Sequence, residues 1–431
     1  MKTYKIYTLG CKVNQYDAGK LACQLDNSGL APADKNADIA IINSCAVTKN
    51  AIIKSRRMVK SAKKANPKAK IALAGCWPKI GADQKNMPCA DLIIRTDDFK
   101  ELLKIIPNFK NRGDGMIVNN KKARYFIKIQ DGCEQFCSYC VIPYARGKLK
   151  SRGEREIIRE IGQAVKAGYG EIVISGIHLG LYGYSVMPGL TRHPERMAVE
   201  RNLDSRLRGN DSTNLAGLIK KIIEIKNLGR IRLSSIEITE VSDELIGLMA
   251  KSKKICRHLH LPLQSGCDKI LKLMNRPYNA EYFKNRIKKI RKAMPDIAIS
   301  SDIIIGFPGE TEKDFKAVEK FIKQMKFSRL HVFPFSAHEK TPAAKMPNQI
   351  EEKIKALRAG ILRKLGARLE EDYKNKFIGK ELDVAVENIR GGKHIGKTEY
   401  YFDIIFNSDQ ISGEKINKNN SLIRKIVKVK N

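Results

Sequence analysis

Three short apolar segments near the N-terminus each lead into a cysteine, and this pattern limits the folds open to the chain. The segments are "KIYTLG", "ADIAIINSC" and "AKIALAGC", which reach Cys11, Cys45 and Cys76. Helical patterns separate them at intervals of about 30 residues, the length of one strand–helix–strand unit. We therefore expect a parallel sheet whose carboxyl edge brings the three thiols together. Spacing alone is equally compatible with three buried core thiols.

A second alternation of strands and helices starts near Tyr125. Its strand-like segments are "RYFIKIQ", "EIVISGIH", "RIRLSSIE", "HLHLPLQ", "IAISSDIIIGF" and "RLHVFPFS". Six such units predict a (β/α)6 arrangement, a complete or partial barrel, and place an α/β fold at the centre of the chain. The chemistry of such a fold belongs at the carboxyl ends of its strands.

The chain divides into three predicted domains. Residues 1–115 form the N-terminal parallel-sheet domain, residues 120–372 the barrel, and residues 373–431 a small antiparallel β-barrel. Residues 184–214 show no hydrophobic periodicity of a helix or strand, and they are rich in arginine and in Pro, Gly and Asn. This composition predicts an exposed insertion. The insertion either contacts RNA or is a tolerated segment without a role.

The composition favours a polyanionic partner. The 431 residues include 81 Lys and Arg against 46 Asp and Glu, a formal net charge of +35. Nucleic acid is the first candidate, although a generally lysine-rich composition would also give this figure. No segment approaches the roughly 18 apolar residues of a membrane helix, and no signal peptide is evident, so we expect a cytoplasmic protein without a membrane partner. In that reducing compartment the ten cysteines indicate metal binding or catalysis.

A compact cysteine triplet follows the first strand of the second alternation. Cys133, Cys137 and Cys140 have the spacing C-x3-C-x2-C. Thiolates suit zinc or an iron–sulfur cluster, but a closed zinc site needs four protein ligands, and the next candidate along the chain is His178. Three thiolates around a four-iron cluster leave one iron open to a small molecule.

With Tyr139 before the last cysteine, the triplet resembles the signature of the radical S-adenosylmethionine superfamily. The resemblance implies that the open iron binds S-adenosylmethionine and that one electron cleaves it to a 5′-deoxyadenosyl radical. It also implies that Tyr139 lies near the adenine. The (β/α)6 fold predicted above is the fold of that superfamily.

The resemblance extends over essentially the whole chain, and within the superfamily the chain is most similar to the methylthiotransferases. It is carried by "LGCKVNQYD", "NSCAV", "AGC", "KIQDGCEQFCSYCVIPYARG", "SGIHLGLYG", "HLHLPLQSG", "DIIIGFPGETEKDF" and "GKTEYYF". It implies a second 4Fe-4S cluster on Cys11, Cys45 and Cys76, whose open iron handles the sulfur, and a TRAM-like RNA-binding barrel at residues 373–431. In such enzymes one S-adenosylmethionine methylates the sulfur, and a second yields the radical that removes hydrogen from the acceptor carbon.

The same resemblance implies contacts to S-adenosylmethionine at strand ends. "SGIHLG" would contact the methionine amino group. Glu237 and Gln264 would contact the ribose and methionine moieties, and "IIIGFPGE" would contact the adenine. Glu237 and Gln264 could instead be solvated strand ends. The residues concerned, besides Tyr139, are Ser175, Gly176, His178, Glu237, Gln264, Ile305 and Gly306.

Within the family the acceptor is a tRNA adenosine or a ribosomal-protein aspartate, and the net charge favours tRNA. The triplet region is most similar to the branch that acts on carbon 2 of N6-threonylcarbamoyladenosine at position 37, in the anticodon stem-loop. N6-isopentenyladenosine is the alternative acceptor. The electron and sulfur donors are not identified by the sequence. A non-enzymatic, metal-bearing RNA-binding protein is the alternative of a different class.

Two groups of residues are predicted to contact tRNA. Arg146, Lys148, Lys150 and Arg152 would meet either a carboxylate on the modified base or the phosphates of the anticodon stem. Tyr400 and Tyr401, next to Phe402, would stack on RNA bases. These aromatic residues could equally be the core of the C-terminal barrel.

Overall fold

The computed structural model describes residues 2–81, 90–95, 99–106, 123–184, 213–412 and 422–431. The chain forms two compact units. The first unit contains Met1–Lys121, Asp131–Lys148 and Ser336–Lys345, and the second contains Lys122–Gln130, Leu149–Phe335 and Met346–Asn431. The three predicted domain boundaries stay predictions, and the predicted insertion lies almost entirely outside the described residues.

A five-stranded parallel sheet forms the centre of the first unit, as predicted. Its strand order is β2-β1-β3-β4-β5, and every neighbouring pair is parallel. The strands are β1 (Thr3–Thr8), β2 (Ala31–Pro32), β3 (Ile39–Ser44), β4 (Lys70–Gly75) and β5 (Leu92–Ile93).

Helices cover both faces of this sheet because its central strand is apolar on both sides. Every residue of β3 is buried, and successive side chains face opposite ways, so Ile41 packs in one hydrophobic cluster and Ile42 in another. Thr48 starts one covering helix by accepting a hydrogen bond from Ala51 N at 3.1 Å. The helices are α1 (Lys12–Asp26), α2 (Lys49–Ala65) and α3 (Cys76–Ile80), followed by a 3-10 helix at Lys100–Lys104.

Six parallel strands form the predicted (β/α)6 arrangement. β6, β8 and β9 pair in that order, with the short β7 beside β6, and β10, β11 and β12 form a second group. Isolated bridges such as Ser235↔His260 connect the two groups. The strands are β6 (Tyr125–Asp131), β7 (Lys150–Ser151), β8 (Glu171–Gly176), β9 (Arg230–Leu233), β10 (His258–His260), β11 (Ala298–Ile305) and β12 (Arg329–Pro334).

Helices connect these strands, and several begin at side chains that cap their first turn. Thr311 and Asp314 form a reciprocal capping box at the start of helix Glu312–Met325, and Asn279 caps helix Ala280–Ala293. The helices are α4 (Ile142–Arg146), α5 (Glu154–Lys166), α6 (Leu215–Ile223), α7 (Asp243–Lys251), α8 (Asp268–Leu273), α9 (Ala280–Ala293), α10 (Glu312–Met325) and α11 (Glu352–Asn375). Among the described helices, none combines the length and the apolar character needed to cross a bilayer.

The C-terminal segment forms an antiparallel sheet, as predicted. The strand order is β15-β14-β13-β17-β16, with a bulge between Val386 and Asn388. Closure of this sheet into a barrel stays a prediction, because residues 413–421 lie outside the described part of the chain. The strands are β13 (Glu381–Arg390), β14 (Lys393–Thr398), β15 (Asp403–Phe406), β16 (Ile411–Ser412) and β17 (Ile426–Lys430).

A buried carboxylate joins this sheet to the parallel strands of the second unit. Glu171 is fully buried at the start of β8 and accepts hydrogen bonds at 2.7 Å from Arg230 and from Arg232. Burial would raise the pKa of Glu171, but the two guanidiniums hold the pKa well below its usual value.

The other N–H groups of the two arginines donate to backbone carbonyls of the C-terminal sheet. Arg230 reaches Asp383 O at 2.7 Å and Lys397 O at 2.8 Å, and Arg232 reaches Thr398 O at 2.8 Å. A third arginine, Arg124, pairs with Glu171 at 3.4 Å and with Glu387 of the C-terminal sheet at 2.5 Å. Glu171 is therefore the common partner of the arginines that hold the sheet on the parallel strands.

Replacing Glu171 by Gln tests this role. Two buried guanidiniums would lose their counter-charge, so we expect the free energy of unfolding at pH 7 to fall by ~3–5 kcal/mol. Because the pKa of Glu171 is lowered on folding, the difference from wild type shrinks as the pH falls below about 4.3. Urea unfolding at several pH values measures both effects.

Glu156→Gln is the matched control, since Glu156 pairs with Arg152 at the surface. It should leave the unfolding midpoint nearly unchanged. Equal destabilisation by the two variants would contradict the role given to Glu171.

Candidate metal centres and cofactor site

The three N-terminal cysteines meet at the carboxyl edge of the sheet, as their positions predict. Cys11 follows β1, Cys45 follows β3 and Cys76 follows β4, which are adjacent parallel strands. A methyl group built on Gly10 would lie 3.2 Å from the sulfur of Cys45, so the loop before Cys11 runs directly past that thiol. The three residues that the sequence places in one constellation are therefore brought together.

Their electrostatics fit a metal cluster. Burial, together with smaller contributions from Cys76 and Cys11, raises the pKa of Cys45 to about 11, although the backbone N–H of Val47 opposes the shift. Burial also raises the pKa of Cys76, and Cys11 contributes in the same direction. Arg146 opposes the shift at Cys76, and a metal cation bound by the sulfurs would stabilise them further as thiolates. A donor set made of sulfur alone suits an iron–sulfur cluster.

The backbone before Cys76 requires glycine. Gly75 has φ +89°, and a methyl group there would lie 2.4 Å from Ser44 O. This close approach of neighbouring strands places Cys76 at the first residue of α3. A side chain at position 75 would push the thiol away from the other two.

Asn14 lies among these cysteines and was not singled out from the sequence. It is buried in α1 and donates hydrogen bonds to Leu9 O at 2.8 Å and Ser44 O at 2.9 Å. Its side-chain oxygen lies 3.7 Å from the sulfur of Cys76. The quoted segment "LGCKVNQYD" contains this asparagine, but a polar residue on a helix gives no sign of burial until the loops after β1 and β3 are placed.

The cysteine triplet lies in the loop between β6 and α4, and it belongs to the same unit as the N-terminal cysteines. Gly132 sets its start: φ is +79°, and a methyl group there would lie 1.9 Å from Lys148 O. The loop is closed by hydrogen bonds from Cys133 N to Gly147 O at 3.0 Å and from Ala343 N to Ser138 O at 2.8 Å. Cys137 is buried, while Cys133, Tyr139 and Cys140 are partly exposed.

Arg146, predicted to contact tRNA, is instead buried beside the N-terminal cysteines. Its guanidinium pairs with Asp17 at 2.8 Å and Asp131 at 3.1 Å and donates to the side-chain oxygen of Asn14. Burial would lower the pKa of Arg146, but Cys76, Asp17 and Asp131 raise it above its usual value. An arginine with 2% side-chain exposure cannot reach an RNA phosphate, so that prediction is corrected.

The residues predicted to contact the methionine end of the cofactor are held in place by hydrogen bonds between neighbouring parallel strands. Ser175 is buried and donates to Ile127 O at 2.8 Å. The backbone N–H of His178 donates to Gln130 at 2.7 Å, and a methyl group on Gly176 would lie 3.1 Å from the same Gln130 side chain. The His178 ring pairs with Glu240 at 2.5 Å. Glu240 thus brings a carboxylate to "SGIHLG", which has no acidic residue of its own.

Glu237 and Gln264 both follow carboxyl ends of parallel strands. Glu237 pairs with the buried Arg276, so it is held in place and is not a solvated strand end. Gln264 has φ +65°, and its backbone N–H donates to Asp302 O at 2.8 Å. Both residues lie at the end of the strands where this fold performs chemistry, and their contacts to a cofactor stay predictions.

Ile305 and Gly306 end β11 at the same edge. Ile305 is fully buried, and Gly306 has φ +67° with its N–H donating to Glu310 at 3.0 Å. Arg358 pairs with Glu310 at 2.6 Å. Burial raises the pKa of Glu310, and the Gly306 N–H and Arg358 oppose that shift.

The predicted RNA-stacking tyrosines are partly exposed and pack against other rings of the second unit. The Tyr400 ring lies 4.3 Å from the Phe377 ring, and the Tyr401 ring is stacked on His258 at 4.4 Å. Arg232 and Lys397 each lie 5.0 Å from the centre of the Tyr401 ring. These contacts favour the alternative, that the aromatic cluster is structural, and base stacking by the two tyrosines stays a prediction.

The other predicted tRNA contacts differ in exposure. Lys148 and Lys150 are exposed. Arg152 pairs with Glu160 at 2.7 Å and donates to Lys128 O at 2.8 Å, so its charge is largely compensated. Of the predicted basic group, the two lysines are best placed to meet phosphates.

Comparison with known proteins identifies the family. Residues 127–322 match the Radical SAM superfamily, and residues 3–94 match the "Uncharacterized protein family UPF0004". The chain is 34% identical to the threonylcarbamoyladenosine tRNA methylthiotransferase MtaB of Bacillus subtilis (strain 168), over 100% of this chain and 94% of that protein. The chain belongs to the radical S-adenosylmethionine methylthiotransferase family. It is therefore an enzyme, and the alternative of a non-enzymatic RNA-binding protein is set aside.

Two further similarities place the chain within this family and its fold. It is 33% identical to the tRNA-2-methylthio-N(6)-dimethylallyladenosine synthase of Acetivibrio thermocellus, over 90% of this chain and 81% of that protein. In fold it resembles the cobalamin-dependent S-adenosylmethionine radical enzyme OxsB, with TM-score 0.50 and 11% identity, over 86% of this chain and 56% of that chain.

Arg146 and Lys148 provide a matched pair for a test. Arg146→Gln leaves two partly buried carboxylates without their partner, so we expect the free energy of unfolding to fall by ~3 kcal/mol. Lys148→Gln removes an exposed charge and should leave stability unchanged while weakening RNA binding and its salt dependence. Urea unfolding measures the stability of the two variants, and filter binding to bulk tRNA at several salt concentrations measures their RNA binding. A stable Arg146→Gln variant with weakened RNA binding would restore the original prediction.

Proposed function

We propose that the chain adds a methylthio group to carbon 2 of N6-threonylcarbamoyladenosine at position 37 of tRNA, with two 4Fe-4S clusters and S-adenosylmethionine. The observation that carries the proposal is the presence of two separate cysteine triads in the first unit, at Cys11, Cys45 and Cys76 and at Cys133, Cys137 and Cys140. When bound, these clusters supply an electron for cleaving S-adenosylmethionine and a position for the sulfur.

In this proposal, residues around each triad position its three cysteines to bind a cluster. Gly75 and Gly132 each precede a cysteine and allow a backbone approach that no other residue permits. The buried charge of Arg146 lies beside Cys76 and stabilises its thiolate. Asn14 accepts a hydrogen bond from Arg146 and fixes that charge next to the thiol. These residues position ligands and need not touch the substrate.

The tRNA acceptor is supported by relatives and by charge. Relatives from Bacillus subtilis and Thermotoga maritima, at 34% and 35% identity, are named threonylcarbamoyladenosine tRNA methylthiotransferases. The exposed Lys148 and Lys150 lie just after the cluster loop and would meet phosphates of the anticodon stem-loop. N6-isopentenyladenosine is the second candidate acceptor, because dimethylallyladenosine synthases are 31–34% identical to the chain.

Removing one triad at a time tests the two-cluster proposal. Anaerobically reconstituted Cys11→Ala/Cys45→Ala/Cys76→Ala protein should lose about four irons per chain and still release 5′-deoxyadenosine with S-adenosylmethionine and dithionite. The corresponding Cys133, Cys137 and Cys140 triple variant should lose a similar amount of iron and release none. Iron and sulfide analysis with chromatography of the nucleoside measures this.

Cys23→Ala is the control, because Cys23 lies in α1 and has no place in either triad. It should keep the full iron content. An unchanged iron content in the first triple variant would show that the N-terminal thiols do not hold a cluster.

The acceptor is tested with two defined tRNAs. One carries N6-threonylcarbamoyladenosine at position 37 and the other N6-isopentenyladenosine, and each is incubated anaerobically with enzyme, S-adenosylmethionine and reductant. We expect nucleoside mass spectrometry to detect the methylthio product from the first tRNA only. Product from the second tRNA alone would replace the proposed acceptor with the alternative one.

A further inference from the structure

Three metal-binding side chains lie on one face of neighbouring parallel strands, apart from both cysteine triads. His260 ends β10 opposite Ser300 of β11, and Asp302 lies two residues further along β11, directly opposite His331 of β12. Side chains two residues apart on a strand share a face. The register therefore brings two imidazoles and one carboxylate to the same place.

Their separation fits a single ion. One ligand atom from each of the three residues lies within 4.8 Å of the other two. His260 Nε2 is 3.2 Å from Asp302 Oδ2. Two ligands at zinc bond lengths and tetrahedral angles lie about 3.4 Å apart, which agrees with this distance.

A neighbouring hydroxyl orients the first imidazole. Ser300 Oγ lies 2.9 Å from His260 Nδ1, which leaves Nε2 as the ring atom that faces Asp302. Metal-binding histidines commonly use the second ring nitrogen in this way, and the contact fixes the ring for coordination.

The second imidazole reaches the carboxylate from a different strand. His331 of β12 lies directly opposite Asp302, whereas His260 comes from β10 on the other side of β11. The ring centres of His260 and His331 are 5.7 Å apart, and the ring planes are inclined at 57°. The two rings are therefore not stacked on each other.

A hydrogen bond accounts for the 3.2 Å contact between His260 and Asp302, and the strand register places His331 directly opposite Asp302. All three ligand atoms are thereby within reach of one ion. Two nitrogens and one oxygen form a borderline donor set that favours zinc over magnesium or calcium. Both histidines and Asp302 are partly exposed, so a fourth position is accessible to water.

We propose that His260, Asp302 and His331 bind one divalent transition-metal ion, for which Zn²⁺ is the best match, with a fourth position open to water. This site uses none of the six cysteines, and it does not rest on the proposed function. Three adjacent strands of the second unit contribute to it, so a bound ion also cross-links them.

The test uses the full chain with both clusters reconstituted, so that the thiols of the two triads are occupied. The protein is equilibrated anaerobically with ZnCl2 over a range of free zinc concentrations, desalted, and analysed for zinc and iron by mass spectrometry. We expect one zinc per chain beyond the background in wild type. Asp302→Asn and His331→Gln should weaken zinc binding by at least about tenfold, and Ser300→Ala by a roughly comparable factor. Iron content should not change.

His394→Gln is the matched control, because His394 lies in the C-terminal sheet and contacts Ser408 at 3.0 Å. It should bind zinc as wild type does. A second measurement, the thermal midpoint with and without zinc, shows that the variants are folded and should rise with zinc in wild type and His394→Gln only. Wild-type levels of zinc in folded Asp302→Asn and His331→Gln protein, or no zinc in wild type, would overturn the proposal.

Discussion

The guanidinium of Arg146 carries a charge inside the first unit, where an uncompensated charge would be strongly destabilising. Asp17 comes from α1, Asp131 from the end of β6, and Asn14 supplies a neutral acceptor beside Cys76. Asp131 lies in the same segment as Arg146, whereas Asp17 and Asn14 belong to α1, so the charge is fully compensated only when the loop of the cysteine triplet is docked on the N-terminal part of the unit. The placement of the cysteine loops and the folding of this unit therefore depend on the same contacts.

The second unit also contains a buried charge, but here the charge is negative. Glu171 is a buried anion whose arginine partners use their remaining N–H groups on backbone carbonyls of the C-terminal sheet. A salt bridge of this kind contributes specificity of docking, since its partners are satisfied in one arrangement only. Tyr401 completes the same region by stacking on His258 and lying close to Arg232. Its aromatic surface is thereby committed to packing.

Sequence reasoning succeeded where local pattern determines position. Alternating strands and helices imply a parallel sheet, and a parallel sheet has one carboxyl edge, so the meeting of the three N-terminal cysteines could be predicted. Burial of polar side chains depends on segments distant in sequence, and for that reason the sequence could not show that Arg146 is buried, could not decide between the two roles of Tyr401, and gave no sign of Asn14. His260, Asp302 and His331 are separated by about 70 residues in all, and only the strand register brings them together.

The first unit is assembled from three separate stretches of the chain, and the last of these is residues 336–345. Ala343 from that stretch bonds to Ser138 within the cysteine triplet, and Ser336 bonds to the start of α2 at Lys49 N. During synthesis the first unit can therefore be completed only after residues 336–345 have been translated, long after both groups of cysteines.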